Sequence, residues 1–223
     1  MSAPPVARLR QLLAVGLLAG LAAGAAATLL QAFTVVPLIL QAEALEPSQG
    51  IAAHAHPGAA RNASTLLFNS LAGVGFGLLL AAAYNLRGRA GSRAGLLWGL
   101  GGFVAFYLAP ALGLPPSLPG TELPALGARQ VWWLGTAAAT AAGLGLVVFG
   151  RRSWVRACGL LLLALPHVAG APQKDPAAAG PPQELVQRFA LWSAAGALLF
   201  WVVLGAASGW LFARFIRGAA DRG

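Results

Sequence analysis

The chain has 223 residues, of which 58% are hydrophobic and 9% are charged, and its formal net charge is +9. A mean hydropathy of +0.71 lies outside the range of soluble globular proteins and predicts an integral membrane protein. The arginines fall in small groups between apolar runs rather than along a solvated basic face, so we expect no nucleic-acid binding. The single cysteine, Cys158, excludes an intrachain disulfide and a thiolate cluster.

Six apolar runs have lengths near the roughly 20 residues that a helix needs to cross a bilayer core of about 30 Å. We therefore predict an all-α helical bundle that forms one transmembrane domain over residues 1–223 and lies in a lipid bilayer. The predicted helices cover residues 11–40, 64–86, 94–112, 130–150, 154–170 and 189–213. The first run is longer than the core requires, so its end should tilt or project beyond the hydrocarbon.

The first apolar run also resembles a signal peptide, because it follows Arg8 and Arg10 and is rich in alanine. Its apolar character continues to Leu40, past any plausible cleavage site, which favours a retained helix. With six crossings, most of the 15 basic residues fall on one side of the membrane and most of the acids on the other. The positive-inside rule then places both termini in the cytoplasm.

A five-helix alternative would merge the fourth and fifth runs into one long helix. The joining segment "GRRS" at 150–153 would then bury Arg151 and Arg152, at roughly 2.5 to 3.5 kcal/mol each. Six helices are therefore favoured, although the fifth run is short and has Arg156 near its start.

Two carboxylates and all three histidines lie on the predicted external side. They are Glu43, Glu46, His54, His56 and His167. Mixed nitrogen and oxygen ligands suit divalent ions such as cobalt, nickel or zinc, so these residues are candidates for metal capture. The alternatives are that the positive-inside rule alone explains the acids, that the "AHAH" loop is simply solvated, and that His167 is a hydrogen-bonded residue at a helix end.

Polar residues inside the apolar runs are the candidates for a transport path, because polar groups are costly inside a bilayer. Gln31 and Asn69 are the clearest, and Thr28, Thr34 and Ser70 could extend the path. Neutral amides also fasten helices to one another, and this role is equally compatible with the sequence.

Glycines recur every fourth residue in three runs, which predicts close helix packing. The positions are Gly16, Gly20 and Gly24, then Gly95 and Gly99, then Gly205 and Gly209. Packing within the chain is the simplest interpretation, while a homo-oligomer or a partner helix would use the same faces. No nucleotide-binding loop, HExxH motif or paired intramembrane aspartates occur, so we do not expect an enzyme.

Several blocks together resemble one family of bacterial membrane proteins, in the right order and over nearly the whole chain. They are "VVPLILQAEALE" at 35–46, "GVGFGLLLAAAYNLRGR" at 73–89, "GLLWGLGGFVAFYLAPALGLPP" at 95–116, "ARQVWW" at 128–133 and "LLLALPHVAGAP" at 161–172. The sequence resembles the CbtA family of probable cobalt transporter subunits, which lie in bacterial inner membranes.

The resemblance implies a multi-pass protein that takes up cobalt in connection with cobalamin synthesis, together with a small, histidine-bearing, single-span partner protein. It implies a transported divalent metal and no permanently bound cofactor. The positions that match the family pattern are Glu43, Glu46, Arg129, Gln130, Trp133 and His167. The expected function is divalent metal uptake, and the alternative is a nontransporting membrane scaffold that holds the metal-binding partner.

Overall fold

The structure is a computed structural model that describes residues 5–45, 58–88, 91–173 and 180–217. All regular secondary structure within these ranges is helical, which confirms the all-α prediction. The α-helices are α1 (Pro5–Leu45), α2 (Gly58–Arg87), α3 (Ser92–Phe103), α4 (Ala109–Gly113), α5 (Leu126–Phe149), α6 (Ser153–Ala169) and α7 (Gln183–Phe212). Two π-helical turns continue α3 and α7, at Val104–Leu108 and Ala213–Arg217 respectively.

Five helical segments of the described chain are long and apolar enough to cross a membrane. They are Val6–Leu45, Gly58–Arg87, Ser92–Gly113, Leu126–Phe149 and Gln183–Ile216. Helix α6 is also apolar but has only 17 residues, or about 26 Å at 1.5 Å per residue, which is just short of the hydrocarbon thickness. Its crossing, and with it the cytoplasmic position of both termini, stays a prediction.

The merged helix of the five-helix alternative is wrong, because the chain leaves helical geometry between α5 and α6. Gly150 is extended at φ −65° and ψ 126°, and Arg152 is extended at φ −99° and ψ 144°. Past this break the two helices run antiparallel, and a Cβ on Gly143 would lie 2.8 Å from the carbonyl oxygen of Gly159. The "GRRS" segment is therefore the turn of a helical hairpin with Arg151 exposed.

The chain folds as two compact units. The first contains the described residues of Met1–Thr34, Ser48–Leu100 and Ala195–Gly223, and the second contains those of Val35–Pro47 and Gly101–Ala194. That the whole chain acts as one transmembrane domain stays a prediction.

Glycine faces hold the first unit together, as the sequence predicts. Along α1 and α2, a Cβ on Gly24 would lie 2.7 Å from the Cα of Ser70. Along α3 and α7, a Cβ on Gly205 would lie 2.8 Å from the Cα of Gly99. Backbones can approach so closely only where side chains are missing. These faces are thus used inside the chain.

A buried tyrosine joins three helices of the first unit. Tyr84 of α2 is fully buried, and its hydroxyl lies 3.1 Å from Oγ of Ser208 on α7. Its ring meets the rings of Trp98 and Phe212 edge-on, at centroid distances of 6.0 and 5.5 Å. Just beyond it α2 ends at Arg87, and Gly88 follows with a φ of 67°, the left-handed conformation that commonly terminates a helix.

An apolar cluster in the second unit packs the end of α1 against two distant segments. It consists of Leu38, Ala42, Leu118, Leu185 and Phe189. This cluster fixes the last turns of α1, the region that carries the predicted carboxylate Glu43.

Candidate metal-binding residues and polar paths

Glu43 lies on the exposed side of the last turns of α1. Its neighbour Ala42 is 1% exposed in the apolar cluster, and successive helical residues point about 100° apart. Burial of Ala42 therefore turns the Glu43 carboxylate outward, where an arriving cation could reach it. The other predicted carboxylate and the two loop histidines, Glu46, His54 and His56, lie outside the residues that the structure describes.

His167 lies in the last turn of α6 and is exposed. Its ring meets the ring of Trp132 on α5 edge-on, with the centroids 6.3 Å apart. Within the described ranges, no three His, Cys, Asp or Glu side chains are grouped closely enough to hold a metal ion. The predicted ligand set therefore stays a prediction.

Gln31 and Asn69 lie together in the first unit, where α1 faces α2. The Asn69 amide nitrogen donates to Oε1 of Gln31 at 2.8 Å and to Oγ1 of Thr28 at 2.9 Å. Thr28 in turn donates to the carbonyl oxygen of Gly24. Across from this group, a Cβ on Gly196 would lie 3.7 Å from Cγ of Gln31. The structure thus joins the two amides in one polar cluster, which fastens α1 to α2.

Replacing Asn69 with alanine should lower the free energy of unfolding by about 1 kcal/mol, because each interhelical hydrogen bond in a membrane protein contributes about 0.6 kcal/mol. Thermal unfolding in detergent, followed by tryptophan fluorescence, measures the change. Asn62→Ala is the matched control, since Asn62 lies exposed near the start of α2. Equal unfolding temperatures for the two variants would contradict the fastening role.

The family-pattern residues in the first turns of α5 have different surroundings. Arg129 is half-buried, and its Nε donates to the carbonyl oxygen of Pro124 at 2.9 Å, so it closes the loop that leads into α5. Gln130 is exposed. The centroid of the Trp133 ring lies 6.4 Å from that of the Phe106 ring in the first π-helical turn. Arg129 and Trp133 thus shape the start of α5.

Three buried polar atoms on α5 were missed by the sequence reasoning. They are Nε1 of Trp132 and Oγ1 of Thr136 and Thr140, and none has a hydrogen-bond partner within the described chain. Their spacing of four residues, which places them on one helix face, is the sequence signal that could have revealed them. A threonine on an apolar helix normally bonds its own backbone, so the residue type alone gives no warning.

Comparison with protein families gives a match to the probable cobalt transporter subunit (CbtA) over residues 9–213. This chain belongs to the CbtA family. The match covers the α1 carboxylate Glu43, the amide cluster, α5 and His167, so these are parts of the shared CbtA region. Neither the curated proteins nor the solved structures that were searched contain a match.

CbtA membership establishes the class to which the chain belongs. The chain is a transporter subunit of the kind that the family description names, a probable cobalt transporter subunit. Its long apolar helices make it a multi-pass membrane protein. The family description, which names one subunit, implies a partner. The family resemblance predicted from the sequence is thereby confirmed.

Proposed function

We propose that this chain takes up divalent metal ions across a bacterial inner membrane, with cobalt as the substrate and cobalamin synthesis as its destination. The observation that carries the proposal is the CbtA match, which extends over residues 9–213. The multi-pass helical architecture supports it, because an ion can cross a bilayer only where protein shields it from the lipid.

Capture takes place at carboxylates and imidazoles on the external side. Glu43 and His167 are both exposed, and Glu46, His54 and His56 supply the remaining ligands. Oxygen and nitrogen donors of this kind bind cobalt and neighbouring first-row ions. A site that must also release its ion needs only sparse and partly hydrated coordination.

The ion then passes the amide cluster of the first unit. The side-chain oxygens of Gln31 and Asn69 can replace waters of a cation without fixing it through charge. The hydrogen bond between Asn69 and Gln31 spans 2.8 Å, so the ion has to break this bond as it passes. The small single-span partner contributes further histidines to the complex, and the same external face receives it.

The proposal is tested by uptake of radioactive cobalt into proteoliposomes. The double variant Glu43→Gln and Glu46→Gln should lower uptake about tenfold at limiting cobalt, which corresponds to about 1.4 kcal/mol of lost ion binding. His167→Ala should also lower cobalt uptake. The matched control is Glu122→Gln with Glu184→Gln, which removes two other exposed carboxylates. Equal uptake by the test and control variants would contradict capture at the end of α1.

A second candidate function is a nontransporting scaffold that holds the small single-span partner. The observation that favours it is the amide cluster, in which Asn69 uses both amide hydrogens for partners within the chain. Reconstitution distinguishes the two functions. Saturable uptake by the chain alone supports a permease, whereas uptake only after the small partner is added makes the chain one half of a transporter. If neither preparation takes up cobalt, the scaffold function stands.

A further inference from the structure

One face of α5 carries two threonines whose buried hydroxyls have no hydrogen-bond partner among the described residues. Thr136 and Thr140 are each 1% exposed, and both Oγ1 atoms are buried. Nε1 of Trp132, one turn earlier on the same face, is buried and equally without a partner in the described part of the chain. A group of three such atoms is unusual, because nearly all buried polar side-chain atoms in proteins are hydrogen-bonded.

Other hydroxyls on the apolar helices of this chain bond their own backbone. Thr28 donates to the carbonyl oxygen of Gly24 at 2.8 Å, and Thr34 donates to that of Leu30 at 2.7 Å. Thr136 and Thr140 occupy helical positions with the same option four residues earlier, yet neither takes it. The described part of the chain therefore supplies no partner for either hydroxyl.

The surrounding helices locate this threonine pair. Trp132 faces the His167 ring of α6, and Gly143 faces Gly159 of the same helix. Trp133 faces the first π-helical turn. At 100° per residue, Thr136 and Thr140 fall on the arc between the α6 side and the π-turn side. The pair thus lies on the part of the α5 surface between the residues that face α6 and the residue that faces the π-helical turn.

Two prolines lie in the segments that pack against α5. Pro110 follows the π-helical turn and Pro166 lies within α6, and both are buried. Proline has no N–H, so neither can donate to the carbonyl four residues before it, at Phe106 and at Leu162. Broken or bulged helices in membrane proteins commonly line ion and substrate sites, since their backbone needs other partners.

We propose that Thr136 and Thr140 bind a partly hydrated divalent cation inside the second unit. Their oxygens accept hydrogen bonds from waters bound to the ion. Trp132 donates its indole N–H to a further water that is not bound to the ion. The inference rests on the proposed uptake function. It adds a place within the second unit where the ion is bound during uptake. Contacts that neutral hydroxyls make through the ion's own waters hold a dication weakly, which suits an ion in transit.

Valine substitutions test the pair, because valine keeps the shape of threonine and removes the hydroxyl. Thr136→Val with Thr140→Val should lower cobalt uptake about tenfold, as expected for losing hydrogen bonds to a charged ligand. The unfolding temperature should stay equal or rise, since no hydrogen bond among the described residues is lost. Serine at both positions should restore uptake. Thr65→Val is the matched control: Thr65 donates to the carbonyl oxygen of Arg61 at 2.9 Å, and its loss should leave uptake near wild type.

Two results would overturn the inference. Unchanged uptake in the double valine variant, at an equal or raised unfolding temperature, would mean that the hydroxyls do not bind the ion. A lowered unfolding temperature without serine rescue would mean that they have a structural role.

A binding measurement separates failure of this inference from failure of the proposed function. Cobalt added to the detergent-solubilised chain should quench Trp132 fluorescence saturably, measured as the difference between wild type and Trp132→Phe. The double valine variant should abolish that saturable component, and magnesium, which is not a quencher, should compete with cobalt weakly. If cobalt uptake is absent but this quenching is present in wild type and lost in the double valine variant, the site stands and the uptake function fails. Absence of saturable quenching in wild type overturns the site itself.

Discussion

Replacing Gly73 with valine should destabilise the chain by about 3 kcal/mol or more, the upper end of what overpacking costs. A Cβ at this position would lie 3.0 Å from the Cα of Gly20 and still closer to its carbonyl oxygen. Backbone atoms cannot turn aside as a flexible side chain can, so α1 and α2 would have to separate. The expected result is a strongly lowered unfolding temperature, or little monodisperse protein after extraction into detergent.

Gly75 provides the matched control on the same helix. A Cβ there meets nothing within 4 Å, and the position is exposed. Gly75→Val adds the same apolar, β-branched side chain to α2 without touching α1, so its unfolding temperature should stay close to that of wild type. Comparable losses in both variants would attribute the effect to valine in the helix and contradict the close helix contact.

Replacing Tyr84 with alanine should have an effect of similar size, about 3 to 5 kcal/mol, which is the usual range for removing a large buried aromatic ring. The ring is fully buried and contacts Trp98 and Phe212. A cavity there would loosen α2 from both α3 and α7. Thermal or denaturant-induced unfolding in detergent, monitored by far-UV circular dichroism, measures the loss.

Tyr84→Phe separates the ring from its hydroxyl. It removes only the contact with Ser208, and Ser208 keeps its bond to the carbonyl oxygen of Gly205 at 3.2 Å. The expected loss is therefore near the lower end of the usual 0.5 to 1.5 kcal/mol for one hydrogen bond, or about 0.5 kcal/mol. A phenylalanine variant as unstable as the alanine variant would show that the hydroxyl contact, and not ring packing, holds the three helices together.

Helix positions could be predicted from the sequence because they follow from local apolar composition, but helix ends could not. Helix α1 was predicted over 11–40 and is helical over Pro5–Leu45. Hydropathy indicates which residues can lie in the hydrocarbon of the bilayer. The end of a helix is set instead by where its backbone hydrogen bonds end. The residues past Leu40 stay helical because Ala42 packs into the apolar cluster of the second unit.

The sequence by itself determined the membrane class, the all-α fold, the family and the closeness of helix packing, because composition and glycine spacing are local properties. Only the tertiary structure decided which groups meet. It paired Asn69 with Gln31, set Gly20 against Gly73, and left the Thr136 and Thr140 hydroxyls without partners in the described ranges. Such pairings depend on the register between helices far apart in the chain, which side-chain packing sets and no local pattern records.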